Sequence, residues 1–115
     1  GERQTQWSLS ADELVLAVSQ GIAASDGYLG NGLVFFTSLC RILTIQGQSA
    51  SLKHRFVAPS GSEVVGLQFD GSRLIGVHLA ASGVKGAVRR ILGWEGYAVD
   101  SLVLEMRDGL KRTYG

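Results

Sequence analysis

The sequence predicts an all-β fold, a sandwich, barrel or prism, on three observations. Glycine makes up 16 of 115 residues, about double the usual share of roughly 7 %. These glycines are not gathered in a linker; they punctuate short apolar runs at intervals, from Gly21 and Gly27 through Gly66, Gly71 and Gly76. Spaced this way, glycine supplies turns, bulges and close approach between many short strands. The runs themselves are rich in β-branched and aromatic residues, as strands are.

Taken in chain order, the first run is the ambiguous one. In "SADELVLAVSQGIAAS" (10–25), Ser10 and Glu13 stand at capping-box spacing ahead of residues that would line one helix face. As a strand, "ELVLAVSQ" puts Leu14, Leu16 and Val18 on one face and Val15 and Ala17 on the other, as suits a strand packed on both sides. Periodicity does not separate the two. "GLVFFTS" and "RILTIQG" follow as strands, then "EVVGLQF" and the apolar strand around "IGVHL". Next comes "AVRRILGW", and after it "DSLVLEM", which turns at Asp108-Gly109 into a last strand before Gly115.

A repeat settles the first run as a strand. "DGYLGNGLVFF" (26–36), "DGSRLIGVHLA" (70–80) and "EGYAVDSLVLE" (95–105) each read acid, glycine, short turn, alternating apolar strand. Each is preceded by another apolar strand, the middle copy aligning with a one-residue deletion. Three copies in a short all-β chain predict pseudo-threefold symmetry, with small sheets closing around a shared core.

Charge and composition exclude several functions. The net charge is +1 with both signs mixed, so there is no electrostatic footprint for nucleic acid or an anionic membrane. Lys85, Arg89 and Arg90 read as a solvated strand face. No run of 18 apolar residues predicts a membrane span, and no signal segment opens the chain; the compartment is left open. The single cysteine, Cys40, permits no internal disulfide and, inside "LVFFTSLCRIL", is expected as a buried thiol. His54 and His78 lack acids at metal-ligand spacing. No nucleophile elbow or triad motif is present, so neither catalysis, metal nor cofactor is expected. Trp7 and Trp94 are expected in core or rim packing.

"AVRRILGWEGYAVDSLVLEMRDGLKRTYG" resembles the first Greek key of the jacalin-related lectins: a strand, Gly-x-x-x-Asp, a strand, an Asp-Gly turn and a strand ending in a glycine-rich link. "WSLSADELVLAVSQG" through "DGYLGNGLVFFTSLCRILTIQG" resembles the second key, and "HRFVAPSGSEVVGLQFDGSRLIGVHL" the third. The resemblance covers nearly the whole chain, its motifs being individually degenerate and informative by number and spacing. It implies a single-domain β-prism of three four-stranded Greek-key sheets with pseudo-threefold symmetry. The approximate keys are 1–47, 48–80 and 81–115. The family order is first, second, third; here it is second, third, first, so the chain looks circularly permuted, with "KRTYG" and "GERQTQWSL" as halves of one glycine-rich link. A piece cut from tandem prisms is the other explanation.

In the family, sugar lies between the Gly-x-x-x-Asp turn and that link. The resemblance therefore implies a mono- or oligosaccharide site of mannose/glucose or galactose type. Gly96 would shape the turn, Tyr97 flank the sugar, Ala98 and Val99 offer N–H groups, and Asp100 accept hydroxyls with charge-assisted bonds. Gly115 and Gly1 would form the opposite wall, the Gly1 ammonium beside the turn. Gly27, Tyr28 and Asn31 would form a second, weaker or altered site, Asn31 replacing the acid. The third copy has Ile75 in that place and is expected to hold no sugar, and "SGVKG" (82–86) reads as a connector. One shallow site implies homo-oligomers or tandem modules for useful avidity. The alternative is a prism without sugar binding that acts as a protein-interaction or targeting module of a larger protein.

Overall fold

A computed structural model describes residues 2–21, 28–45 and 52–115. Ten strands account for its regular structure, and no helix occurs among the described residues. They are β1 (Arg3–Ser8), β2 (Val15–Gly21), β3 (Gly32–Thr37), β4 (Ile42–Ile45), β5 (Leu52–Val57), β6 (Ser62–Asp70), β7 (Arg73–Ala81), β8 (Val88–Glu95), β9 (Val99–Met106) and β10 (Lys111–Tyr114). All pairings are antiparallel.

The strands form three sheets, ordered β1-β8-β9-β10, β4-β3-β2-β5 and β6-β7. In the second, β2, β3 and β4 follow one another as hairpins and β5 returns beside β2. That is the Greek-key order, fourth strand beside the first. The first sheet repeats it if β1 is taken as following β10: β8, β9 and β10 are consecutive and β1 lies beside β8. The third sheet departs from the expected four strands. Among the described residues it is a single hairpin, because the chain passes from β7 directly through 82–87 into β8 of the first sheet. The sheets also divide the chain elsewhere than the approximate keys do, since β5 pairs with β2 and β1 with β8.

The segment 10–25 is a strand through Gly21, preceded by a turn. The capping-box pair is present without its helix. Glu13 N–H donates to the Ser10 carbonyl at 3.0 Å and Ser10 N–H to Glu13 Oε1 at 3.0 Å, closing a four-residue turn. The alternation expected along β2 is broken by a bulge between Val15 and Ala17, which places Val15 and Val18 together in the core.

Inward faces of all three sheets meet in one core that includes Val18, Phe35, Ile45, Leu67, Ile91 and Leu102. One end of this core is closed by polar groups. Glu13, fully buried, accepts from Thr37 Oγ1 at 2.6 Å and Arg41 Nη1 at 2.9 Å. Burial alone would raise its pKa, but these bonds and the Ser10 N–H outweigh it and hold the carboxyl below its ordinary 4.5. Glu63 Oε1 accepts the Ala87 N–H at 2.8 Å, and Arg107 donates to the carbonyls of Gly86 and Ser10. Cys40 departs from expectation. It is exposed, with φ of 61°, in the turn between β3 and β4, because the apolar run ends at Thr37 and the chain must reverse there. Trp7 packs on the core and donates Nε1–H to the Thr44 carbonyl at 2.9 Å.

Candidate functional site

The three turns recognised as repeats in the sequence come together at the other end of the core. Leu29 N–H donates to the Val99 carbonyl and Val99 N–H to the Gly30 carbonyl, each at 2.9 Å, locking the turn before β3 to the turn before β9. Gln20, fully buried at the end of β2, ties in the third. Its Nε2 donates to the carbonyls of Leu29 (3.0 Å) and Ser72 (2.7 Å), and its Oε1 accepts the Leu74 N–H (2.7 Å). One amide thus satisfies groups from two turns in a buried setting where an unpaired group would be costly.

Between these turns lies an open cavity of about 500 Å³. Its long walls are two strand edges, Leu67, Gln68 and Phe69 of β6 facing Thr113 and Tyr114 of β10. Tyr28 and Leu29, Gly71, Asp100 and Gly115 close it. Tyr114 Oη accepts the Leu67 N–H at 2.8 Å, and the Phe69 and Tyr114 rings lie 5.7 Å apart, tilted by 57°. The lining therefore offers aromatic surface beside a carboxylate, an amide and a hydroxyl.

Of the residues nominated from sequence, Asp100, Gly115 and Tyr28 line this cavity. Gly115, with φ of 92°, lies so close to Asp100 and Ser101 that a Cβ there would sit 2.5 Å from the Asp100 carbonyl oxygen. Gly96 closes a tight turn, its N–H donating to the Ala98 carbonyl at 3.0 Å. Tyr97 is fully exposed at the tip of that turn and does not line the cavity; the rings that do are Tyr28, Phe69 and Tyr114. Ala98 and Val99 are buried, and the Val99 N–H is committed to Gly30 rather than free for a ligand. Asn31 sits outside the cavity, its N–H donating to the Gly21 carbonyl at 2.9 Å and its Oδ1 buried without a hydrogen-bond partner. Gly1 and Gly27 lie outside the described residues. Ile75 stands exposed on β7.

Sequence reasoning missed Gln68, Phe69 and Tyr114. A signal was present for two of them: each of the chain segments "LQFDG" and "RTYG" carries an aromatic one or two residues before a glycine at this end of the fold. Glu2 was missed as well. The neighbouring Asp100 carboxylate favours a proton on the Glu2 carboxyl and so holds it above its ordinary 4.5. Among the described residues no group of three or more His, Cys, Asp or Glu is placed to hold a metal ion. No helix of the described chain is long and apolar enough to cross a membrane. No family model, curated protein or solved structure matches the chain.

Proposed function

We propose that this chain is a carbohydrate-binding domain of the jacalin-related β-prism kind, with its sugar site in the cavity bounded by Asp100, Gly115 and the rings of Tyr28, Phe69 and Tyr114. One observation carries the reading. Asp100 and Gly115, nominated from opposite halves of a sequence motif, lie against each other on the wall of a cavity that also presents aromatic faces. A carboxylate accepts bonds from neighbouring hydroxyls, and these are stronger than neutral ones. An aromatic ring packs on the apolar face of a pyranose. In this reading Asp100 is the principal acceptor, Gln68 and Thr113 complete the polar set, and no bond is made or broken. The prism and its permuted order are supported by two sheets of the same Greek-key order, one of them completed by β1.

A single open site of this sort binds at about millimolar affinity, roughly −4 kcal/mol, and oligomers or tandem modules would supply avidity. Amide-detected NMR titration with mannose, glucose and galactose tests the proposal. At least one sugar is expected to shift the amides of Asp100, Gly115 and Gln68, and Asp100→Ala is expected to abolish those shifts with the fold intact. Absence of binding to any of them on a broad glycan array, or binding untouched by Asp100→Ala, refutes it. The protein-interaction reading is favoured by a different feature, the two-stranded third sheet with Ile75 and Leu79 each 45 % exposed on β7. It is the reading left standing if no glycan binds.

A further inference from the structure

Charged groups lie beside the β6 wall of the cavity. Gly66 and Gln68 stand on one face of β6, opposite the core-facing Leu67. Gly66 is paired with His78 and Gln68 with Gly76 across the hairpin. Gly66 is buried, and having no side chain it lets neighbouring groups lie directly against its backbone. A Cβ at Gly66 would lie 3.1 Å from Arg112 Nη1 and 3.2 Å from His78 Cδ2; these two side chains, from β10 and β7, thus come together over Gly66. Gln68, two residues on along the same face of β6, lines the cavity, so the Arg112 and His78 side chains adjoin it.

Arg112 is exposed, and unlike Arg3, Arg41, Arg89 and Arg90 it makes no ion pair among the described residues. It sits two residues before Tyr114 on the same face of β10. Leu104 pairs with Arg112 and Leu102 with Tyr114, so Asp100 lies four residues along β9 from the Arg112 position, about 13 Å at the usual strand rise. One end of the site therefore carries a carboxylate and the other an unspent guanidinium beside an imidazole. Asp70 and Arg73, paired across the end of the hairpin, add no net charge.

We infer that the ligand is an acidic oligosaccharide, bound with a neutral residue at Asp100 and with a sulfate or carboxylate substituent at Arg112 and His78. This rests on the carbohydrate reading of the cavity. The Asp100 carboxylate repels an anion at its own end, whereas the guanidinium fork matches the oxygens of a sulfate or carboxylate. The separation exceeds one pyranose ring, which is why a monosaccharide would leave the cationic end empty.

The test compares neutral disaccharides of mannose, glucose and galactose with their sulfated and uronate counterparts, by NMR titration on the wild type, Arg112→Gln and Asp100→Ala. The acidic member of the best pair is expected to bind about three- to tenfold more tightly, with added shifts at Gly66 and His78. That advantage should vanish in Arg112→Gln and shrink with salt, while neutral binding stays as in the wild type. Asp100→Ala should abolish both. Equal affinity for neutral and acidic ligands, or an advantage that survives Arg112→Gln, overturns the inference and leaves the sugar site standing. Binding of neither kind overturns both.

Discussion

Gly93 is where the packing of two sheets leaves no room for a methyl group. It sits in β8, paired with Thr5 on one side and Leu102 on the other. A Cβ there would fall on Ile45 Cγ2, with Cδ1 at 3.0 Å and Cγ1 at 3.2 Å. Ile45 is fully buried in β4 of the other four-stranded sheet. Its branched side chain has few rotamers to retreat into, and the Trp7 bond to the neighbouring Thr44 carbonyl holds β4 in place. Gly93→Ala is therefore an overpacking substitution, costing about 1–3 kcal/mol. At roughly 4 °C per kcal/mol for a domain of this size, the Tm should fall by about 4–12 °C. Ile45→Ala alone should cost about 2–5 kcal/mol through the cavity it leaves. In the double variant the new methyl occupies part of that cavity, so the combined loss should be smaller than the sum by about 0.5–3 kcal/mol. Thermal and urea unfolding of the four proteins, followed by circular dichroism, measures the cycle. A Gly93→Ala protein with wild-type Tm, or strictly additive losses, would refute the face-to-face packing of β8 on β4.

Three further substitutions probe the closed end, the site end and an open turn. Glu13→Gln should lose about 1–2 kcal/mol, since the charge-assisted bonds from Thr37, Ser10 and Arg41 weaken. Because the Glu13 carboxyl is held below 4.5 in the fold, its contribution is complete above that pH and is lost as pH falls through the lower folded value; the wild-type Tm should drop between about pH 5 and 3 more steeply than that of Glu13→Gln. Glu105, lowered by its bonds to Arg90 and Arg89, adds to the same limb in both proteins. Gly30→Ala should cost about 2–4 kcal/mol, combining φ of +83° with a Cβ 2.5 Å from the Gly21 carbonyl oxygen and 2.8 Å from Gln20 Nε2. Gly61→Ala, with φ of +84° and nothing within 4 Å, should cost only the backbone strain, about 1–2 kcal/mol, and comparing the two Tm values separates strain from crowding.

The strands that could be read from sequence are those that bury a face. β3, β6, β8 and β9 announce themselves through Val, Leu, Ile and Phe because each supplies the core, while β2 needed the repeat to be told from a helix. β1, "RQTQWS", and β5, "LKHRFV", do not, since they are outer strands held by ladder bonds to β8 and β2 and their alternation is largely polar. The acid-glycine turns were legible as repeats, and their meeting at one end follows from each opening the second strand of its sheet. The cavity's walls were not. Phe69 and Tyr114 lie 45 residues apart in the chain and meet only because β6 and β10 end on facing edges of different sheets. Cys40 misled because an apolar neighbourhood in sequence continues across a turn where the structure leaves the core.

Among the described residues, the two-stranded form of the third sheet and the position of the cavity go together. In both four-stranded sheets the first hairpin strand is covered by a fourth strand, β8 by β1 and β2 by β5. β6 has no such neighbour among the described residues, and the cavity lies along it, facing β10. An uncovered strand edge normally invites another strand. Here the Tyr114 hydroxyl already takes the Leu67 N–H, and the Phe69 and Tyr114 rings stand at the edge, so ladder pairing at that point would have to displace both. What remains open beside them is the Asp100 carboxylate, the Gln68 amide and the Thr113 hydroxyl, a set that suits a ligand rich in hydroxyls better than a peptide backbone seeking alternate donors and acceptors along a strand. Among the described residues the unpaired edge of β6 thus gives the cavity its length, and Phe69 and Tyr114 seal part of that edge.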